Sequence, residues 1–530
     1  MSRLLQDHLT ESAQRHPERT ALVMRDRRVT YGELDELSSR MASMLTEVGC
    51  QRNDRVCLLS PKSPDAIAAM LGVLKAGCAY VPIDTDSPAG RVQHVLRAAD
   101  PRVLLTSSSA TGLLDGLADE GVLTASTTVG SLDEPFATER YKSQFARAEW
   151  VRQEPRDHVP RGGPSDIAHI LFTSGSTGVP KGVMITHANV LAFVAWANNY
   201  FGMGPDERWS GHPPLHFDLS TYDIYGTLAS GAELHLMPTE LNLLPHKLAA
   251  HIRDSELTRW FSVPSILSYM VRFGAIEHGD FPTLRKLLWC GEVLPTPVLM
   301  TLMERLPHVT FTNLYGPTEA TIASSFHTVE QRPTSETAST PIGTACAGEE
   351  LLILDDGGRE AAVGQVGDLY IAGVGLSPGY WRDPERTAAV FVADPREDVA
   401  DRTIYRTGDL ASWGDDGLVR FHGRADAQIK HRGYRIELGE IETAVNALDE
   451  VKECAVVALP TDGFEGTVIC CAYAASSDAA SVATLRTGLR RQLPTHMIPT
   501  RWLAVADLPR NANGKIDRKI VTRWIEEDDR

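Results

Sequence analysis

The sequence predicts an α/β fold, with a large N-terminal domain of parallel sheets under helices and a small C-terminal domain. Two observations carry this. Strand-like and helix-like segments alternate through the first part of the chain, and from about residue 345 the pattern changes to short β segments. Asp54-Arg55-Val56-Cys57-Leu58-Leu59 reads as a strand. Residues 63–76 then carry Ile67, Met70, Leu71 and Leu74 at helical spacing, and Tyr80-Val81-Pro82-Ile83 reads as the next strand. Ile170-Leu171-Phe172 is a further apolar run, and Thr186 is placed to cap a helix whose apolar face is Val190, Phe193, Val194, Ala197 and Phe201. Such a rhythm puts ligands at the carboxyl ends of the strands. The later β segments are Leu351–Leu354, Asp368–Ile371 and Val419–Phe421. After Gly423 come a charged stretch and a small α/β pattern ending near 520, so domains of 1–425 and 426–530 are expected.

A chain of 530 residues with 43% hydrophobic and 23% charged residues has the composition of a globular protein. No apolar stretch approaches the roughly 18 residues that span a bilayer, and the polar N-terminus, with its acidic residues, resembles neither a signal nor a transit peptide. Eight cysteines without a CxxC pair suggest neither a zinc knuckle nor a disulfide framework, so a reducing cytoplasm is expected. A net charge of −17 argues against general nucleic-acid binding. The charge is uneven: from Ser481 to Trp524 nine basic residues face only Asp507 and Asp517. That segment is either a solvated face or a dock for an acidic partner.

Between Phe172 and Gly182 the chain reads FTSGSTGVPKG. Glycines let backbone amides turn toward a ligand, while hydroxyls and a lysine donate to phosphate oxygens. The Walker pattern GxxxxGK[ST] is not matched, and alone the segment reads equally well as a flexible surface turn. Its position directly after a strand-like run suits a site.

The accompanying motifs, in order, are LKAGCAYVPID (74–84), the 172–182 loop, FDLS (217–220), NLYGPTE (313–319), YRTGDL (405–410), GRADAQIKHRGYRIELGEIE (423–442) and NANGKIDR (511–518). With them the chain resembles, almost end to end, the amino-acid-activating branch of the adenylate-forming superfamily, which includes nonribosomal peptide synthetase adenylation domains, acyl-CoA synthetases and luciferases. The resemblance implies a β-barrel-like part after the parallel subdomains and a mobile C-terminal α+β domain, with ATP and Mg2+ as cofactors. It also implies that Thr173, Ser174, Gly175, Ser176, Thr177, Gly178 and Lys181 hold the β- and γ-phosphates. Tyr315 would stack on adenine with Asn313 near its edge, flanked by Gly316 and Thr318, and Glu319 would hold Mg2+. Asp409 and Arg424 would reach the ribose. Lys515 would bridge the substrate carboxylate and the ribose-phosphate oxygens as the principal catalytic residue, and Asp426 would be the hinge. Taken singly, Tyr315 is a core aromatic, Asp409 a turn residue, and Lys515 a solvated lysine. One departure stands out: the family's GxxLARGY element is here GVGLSPGY (373–380).

Asp218 implies an amino acid rather than a plain acid, because in this branch the matching aspartate pairs with the substrate's α-ammonium; a helix cap is its plain alternative. Phe217 would wall the channel. The motif alignment supplies Leu219, Tyr222, Ser262, Leu288, Cys290, Gly291, Leu314, Ile322 and Ala323 as pocket residues. None pairs with a charged side chain, so a small neutral substrate is expected. The stretch 288–295 resembles D-alanine–carrier protein ligases, and 214–226 resembles alanine- or proline-loading ligases of antibiotic pathways. L-Alanine is the leading expectation, with D-alanine and L-proline as the main alternatives and serine, cysteine and glycine also open. Cys290 as a nucleophile is disfavoured, since no His partner is evident beside it.

Only 15 residues follow Lys515 and no phosphopantetheine serine motif appears, so the acceptor is expected to be a separate carrier protein, through its thiol or the amine of a tethered aminoacyl group. Arg486, Arg490, Arg491 and Arg501 are the expected docking residues. An acid–CoA ligase is a rival that Asp218 disfavours. A catalytically idle binding protein is another, disfavoured by the presence of Lys515, Glu319 and Asp409.

Overall fold

In the computed structural model the described residues are 3–119, 121–122, 127–138, 141–155, 162–175, 179–396, 399, 402–426, 428–460, 467–476, 481–510 and 516–528. The chain forms two compact units, one of residues 1–85, 96–172 and 182–425, the other of 86–95, 173–181 and 426–530.

The larger unit is built on three sheets. A nine-stranded sheet runs Thr344–Ala345, Ser325–Val329, Thr310–Tyr315, Lys286–Trp289, Arg259–Ser262, Arg208–Gly211, Glu233–Leu236, Thr20–Met24 and Arg27–Thr30. Its middle is parallel and its margins antiparallel. A six-stranded sheet places Arg55–Leu59 between Val103–Thr106 and Ala79–Ile83, all parallel. The short β segments after residue 345 pair antiparallel in a five-stranded sheet: Glu349–Leu354, Gly367–Gly373, Thr403–Trp413, Phe391–Ala393 and Val419–Arg424.

Local chemistry explains the elements. Ser63 accepts the Ala66 amide at 3.1 Å and Pro64 opens the helix Pro64–Lys75, which is almost wholly buried. Thr186 caps His187–Phe201 through the Asn189 amide at 3.2 Å, and that helix ends on left-handed Gly202. The nine-stranded sheet has an apolar cluster on each face. One holds Phe261, Leu288 and Leu314; the other holds Trp260, Leu287, Trp289 and Phe311. Alternating side-chain direction along each strand produces this division.

The smaller unit holds a three-stranded sheet of Val451–Pro460, Thr467–Ala475 and Arg501–Val505, a hairpin of Gln428–His431 and Tyr434–Glu437, and the helices Leu438–Asn446, Val482–Leu489 and Arg518–Asp528. Ile436, Ile441, Val445, Val456, Cys471, Leu485 and Leu489 form its core. Among the described residues no helix is long and apolar enough to cross a membrane.

Candidate functional site

Three neighbouring parallel strands end side by side, and the expected pocket residues gather at those ends. In register, Leu288 stands beside Phe261 and Thr312, while Trp289 stands beside Ser262 and Asn313. Leu288, Cys290, Leu314, Ile322 and Ala323 share one buried apolar cluster with Leu219 and Tyr222 of the helix Leu219–Ser230. Cys290 is buried and directs its thiol toward the Ile322 carbonyl at 3.8 Å, as a wall residue would. Gly291 after it takes a left-handed φ of 97°.

Ser262 is a correction. It has the strand parity of Trp260 and Trp289, and its hydroxyl is taken by the Trp260 indole at 2.8 Å, so it belongs to the opposite face of the sheet. Three residues later the Ser265 amide donates to Glu292 at 3.1 Å, tying the start of the next helix to the segment after Gly291.

Thr321 and Ile322 have φ of 57° and 70°, unusual for β-branched residues. The turn is held by Thr321 Oγ1 donating to the Gly375 carbonyl at 2.7 Å and by the Ser324 amide donating to the Tyr315 carbonyl at 2.7 Å. Such backbone strain persists only where the surrounding structure holds it. Gly316 is needed there for space: a Cβ would lie 2.5 Å from Ala323 Cα. Tyr222 packs against Trp209 and Phe193 at ring distances of 5.0 and 5.3 Å, with Gly226 directly beneath its ring.

Asp218 occupies the N-cap position of its helix, yet its carboxylate caps nothing. It accepts instead from Thr318 Oγ1 at 2.8 Å, so an NLYGPTE residue orients the residue expected to meet the substrate's ammonium. Phe217 and Asp218 are both half-buried.

The nucleotide-side residues of this unit are also brought together. Tyr315 is buried and donates its hydroxyl to Asp409 Oδ2 at 2.5 Å, while Arg424 Nη1 donates to Asp409 Oδ1 at 2.5 Å and Nη2 to the Thr407 carbonyl at 3.1 Å. Burial first, then the Asp409 charge, pushes the Tyr315 phenol well above its ordinary range, so it remains a donor. Each Asp409 oxygen has two acceptor positions, which leaves capacity for ribose hydroxyls. Asn313 Nδ2 donates to the Pro341 carbonyl at 2.8 Å. Glu319 is fully buried and accepts the Tyr380 hydroxyl at 2.8 Å. Among the described residues no three His, Cys, Asp or Glu gather as a metal cage. A single hard carboxylate fits Mg2+, which commonly takes one or two carboxylates and completes its shell with phosphate oxygens and water.

In the smaller unit Thr173 ends the strand Ile167–Thr173, and its hydroxyl is a buried polar atom with no hydrogen-bond partner among the described residues. Ser174 donates to the Arg435 carbonyl, Gly175 follows it, and Lys181 opens the strand Lys181–Thr186. Asp426 accepts the Gln428 amide at 3.1 Å. Arg490 and Arg491 are exposed at the end of the helix Val482–Leu489, and Arg486 and Arg501 are half-buried. Arg510 and Arg518 are paired with Glu453 and Glu442 at 2.6 and 2.7 Å, which removes two charges from the expected basic surface. Ser176, Thr177, Gly178 and Lys515 lie outside the described residues.

Sequence reasoning missed the Thr318–Asp218 bond and the partnership of Tyr380 with Glu319. GVGLSPGY departs from the family pattern at Ser377-Pro378, a change expected to have little functional consequence, whereas Tyr380 lies where the pattern is kept.

Residues 9–381 match the model of the AMP-binding enzyme family, and residues 440–515 match the AMP-binding enzyme C-terminal domain. The chain is 34% identical over 524 residues to an L-proline–[L-prolyl-carrier protein] ligase of Pseudomonas fluorescens, covering 99% of this chain and 100% of the relative. It is also 34% identical over 512 residues to the enzyme of the same description in Streptomyces coelicolor, covering 96% and 94%. Among solved structures it is similar to holo-PA1221, an NRPS protein containing adenylation and PCP domains, with a TM-score of 0.81 and 28% identity over 99% of this chain and 84% of that one.

Proposed function

The chain belongs to the AMP-binding enzyme family, and from that premise we propose that it activates a small neutral amino acid and passes it to a separate carrier protein in natural-product biosynthesis. It is an adenylating ligase. The substrate carboxylate oxygen attacks the α-phosphorus of ATP, the bond to the β-phosphate oxygen breaks, and pyrophosphate leaves. A thiol of the carrier's phosphopantetheine, or the amine of an aminoacyl group already tethered there, then attacks the acyl carbon and AMP leaves. Both steps depend on positioning and charge neutralisation.

The observation that carries the amino-acid reading is Asp218 held by Thr318 beside an apolar wall of Leu288, Cys290, Leu314, Ile322 and Ala323. An ammonium is neutralised there, and a charged side chain would find no partner in that wall. Between the two leading substrates, L-proline is favoured over L-alanine by the two full-length relatives, which are L-proline ligases. Asp409, Arg424, Tyr315 and Asn313 would receive the nucleoside. Thr173, Ser174, Gly175, Ser176, Thr177, Gly178 and Lys181 would receive the outer phosphates. Glu319 would hold Mg2+, which supplies charge neutralisation at the phosphates when bound. Residues 1–425 would serve as the catalytic core and 426–530 as the mobile domain that brings Lys515 and pivots at Asp426. Arg486, Arg490, Arg491 and Arg501 are the proposed dock for an acidic carrier.

ATP–pyrophosphate exchange across the twenty L-amino acids and D-alanine tests the reading. Exchange should be strongest with L-proline or L-alanine and weak with charged or large aromatic side chains. No amino-acid-dependent exchange, or AMP formation that requires free coenzyme A, would overturn it.

A further inference from the structure

We propose that Lys62 is a positioning residue for the amino-acid site, holding the backbone from which the loop bearing Phe217 and Asp218 departs. The inference rests on the reading of Asp218 as the partner of the substrate ammonium. Lys62 lies in the connection between the strand Arg55–Leu59 of the six-stranded sheet and the helix Pro64–Lys75. Its side chain crosses to the nine-stranded sheet, where Nζ donates to three consecutive carbonyls: Gly211, His212 at 2.8 Å and Pro213 at 3.1 Å. Gly211 is the last residue of the strand Arg208–Gly211. An ammonium has three hydrogens and no acceptor, so these carbonyls use it completely.

Lys62 is buried, and a buried lysine is rare unless its charge is matched. The Gly211 carbonyl also accepts the Met237 amide at 3.1 Å, so Lys62 matters most to the His212 and Pro213 carbonyls, which it bonds beyond the strand end. The loop that follows is short and stiffened by Pro213 and Pro214. The Phe217 amide donates to the Pro214 carbonyl at 3.0 Å, and Ser220 Oγ returns to the Phe217 carbonyl at 2.7 Å. A shift of residues 211–213 therefore reaches Asp218 with little to absorb it.

Asp223 lies on the first turns of the helix Leu219–Ser230, is buried, and accepts the Trp209 indole at 2.7 Å. Burial raises its carboxyl well above the ordinary range, opposed by the Trp209 hydrogen bond and then by the Lys62 charge. Burial pulls the Lys62 ammonium down to about 7, against the opposing influence of Asp223, and His212 is held neutral by burial and then by the Lys62 charge.

Lys62→Met keeps the stem and removes every donor, while Lys62→Gln keeps two. In pyrophosphate exchange with the amino acid that the wild type uses best, Lys62→Met should raise its KM about tenfold and Lys62→Gln about threefold, with KM for ATP within about twofold in both. In the ligand-free protein, amides of 212–220 should exchange faster in Lys62→Gln while those of the neighbouring strands Arg259–Ser262 and Lys286–Trp289 keep their protection. Parallel changes in both KM values, or none in either, would overturn the proposal. If Lys62→Met does not fold, Lys62→Gln decides alone. If the wild type exchanges with no amino acid, the proposed function fails, and unchanged amide protection at 212–220 would separately overturn the role of Lys62.

Discussion

Thr318 is the residue through which the nucleotide-side motif touches the amino-acid side. Its hydroxyl donates to the half-buried Asp218 carboxylate at 2.8 Å, a bond to a charged group and so worth about 1.5–3 kcal/mol. Valine at this position keeps the shape and removes the donor. Thr318→Val is therefore expected to raise the amino-acid KM by about tenfold or more, since about 1.4 kcal/mol corresponds to each factor of ten. The ATP KM should move much less, because Tyr315, Asp409 and Arg424 remain bonded to one another without Thr318. Measuring both constants by pyrophosphate exchange separates this from a purely nucleotide-side role, for which the ATP KM would rise alone. Glu319 and Tyr380 form a comparable pair, and there the partner came from a motif whose sequence departs from the family pattern.

Elements were legible where a local signal and a packing demand coincide. The helix Pro64–Lys75 and the capped helix His187–Phe201 emerge within a residue or two of their apolar periodicity, because cap and buried face agree. The motifs point to residues that the fold gathers at strand ends, but the face each one takes is not written in them. Ser262 shows why: its parity is decided by pairing with Trp289 on a strand far along the chain, and a string of letters does not carry that register. The helix Leu219–Ser230 also holds a relation invisible in sequence. Gly226, poor for a helix interior, leaves room for Tyr222 one turn earlier. A Cβ at 226 would stand 2.6 Å from Tyr222 Cε2 and 3.2 Å from Asn198 Oδ1, and Tyr222 is enclosed by Trp209, Phe193 and Phe261. Gly226→Ala gains about 1 kcal/mol of helix propensity but meets an overpacking cost of about 1–3 kcal/mol or more. The clash should win, and the variant should unfold at lower urea concentration than the wild type. An equal or higher midpoint would mean that Tyr222 has somewhere to go.

For the whole molecule, burial fixes the sign of the response to acid. His8, His187 and His431 are held down to about 4, and His169 and His212 to about 3, with desolvation the largest cause in each. These histidines stay neutral in the folded chain while the unfolded chain takes up protons below about 6.5, so their contribution is complete above that pH and declines as pH falls toward 4. Each such group removes up to about 1.4 kcal/mol per pH unit over that window. Three buried carboxyls pull the other way. Glu349 is raised to about 7, and Asp223 and Glu440 are also raised, all chiefly by desolvation, so each retains a proton that the unfolded chain releases. His251 and His327 are also held low, chiefly by desolvation, so among the described residues seven lowered histidines against three raised carboxyls leave a net loss on acidification. Carboxylates held low by ion pairs, such as Asp166 beside Arg52 and Glu207 beside Arg259, add to the loss only below about pH 4.5, where their unfolded counterparts begin to protonate. The melting temperature should therefore be lower at pH 5 than at pH 7.5. His187 accepts the Leu5 amide at the N-terminal helix, so replacing it by asparagine should flatten the dependence by the share of one such histidine. A melting temperature that holds or rises on going to pH 5 would show that the raised carboxyls, rather than the buried histidines, govern the balance.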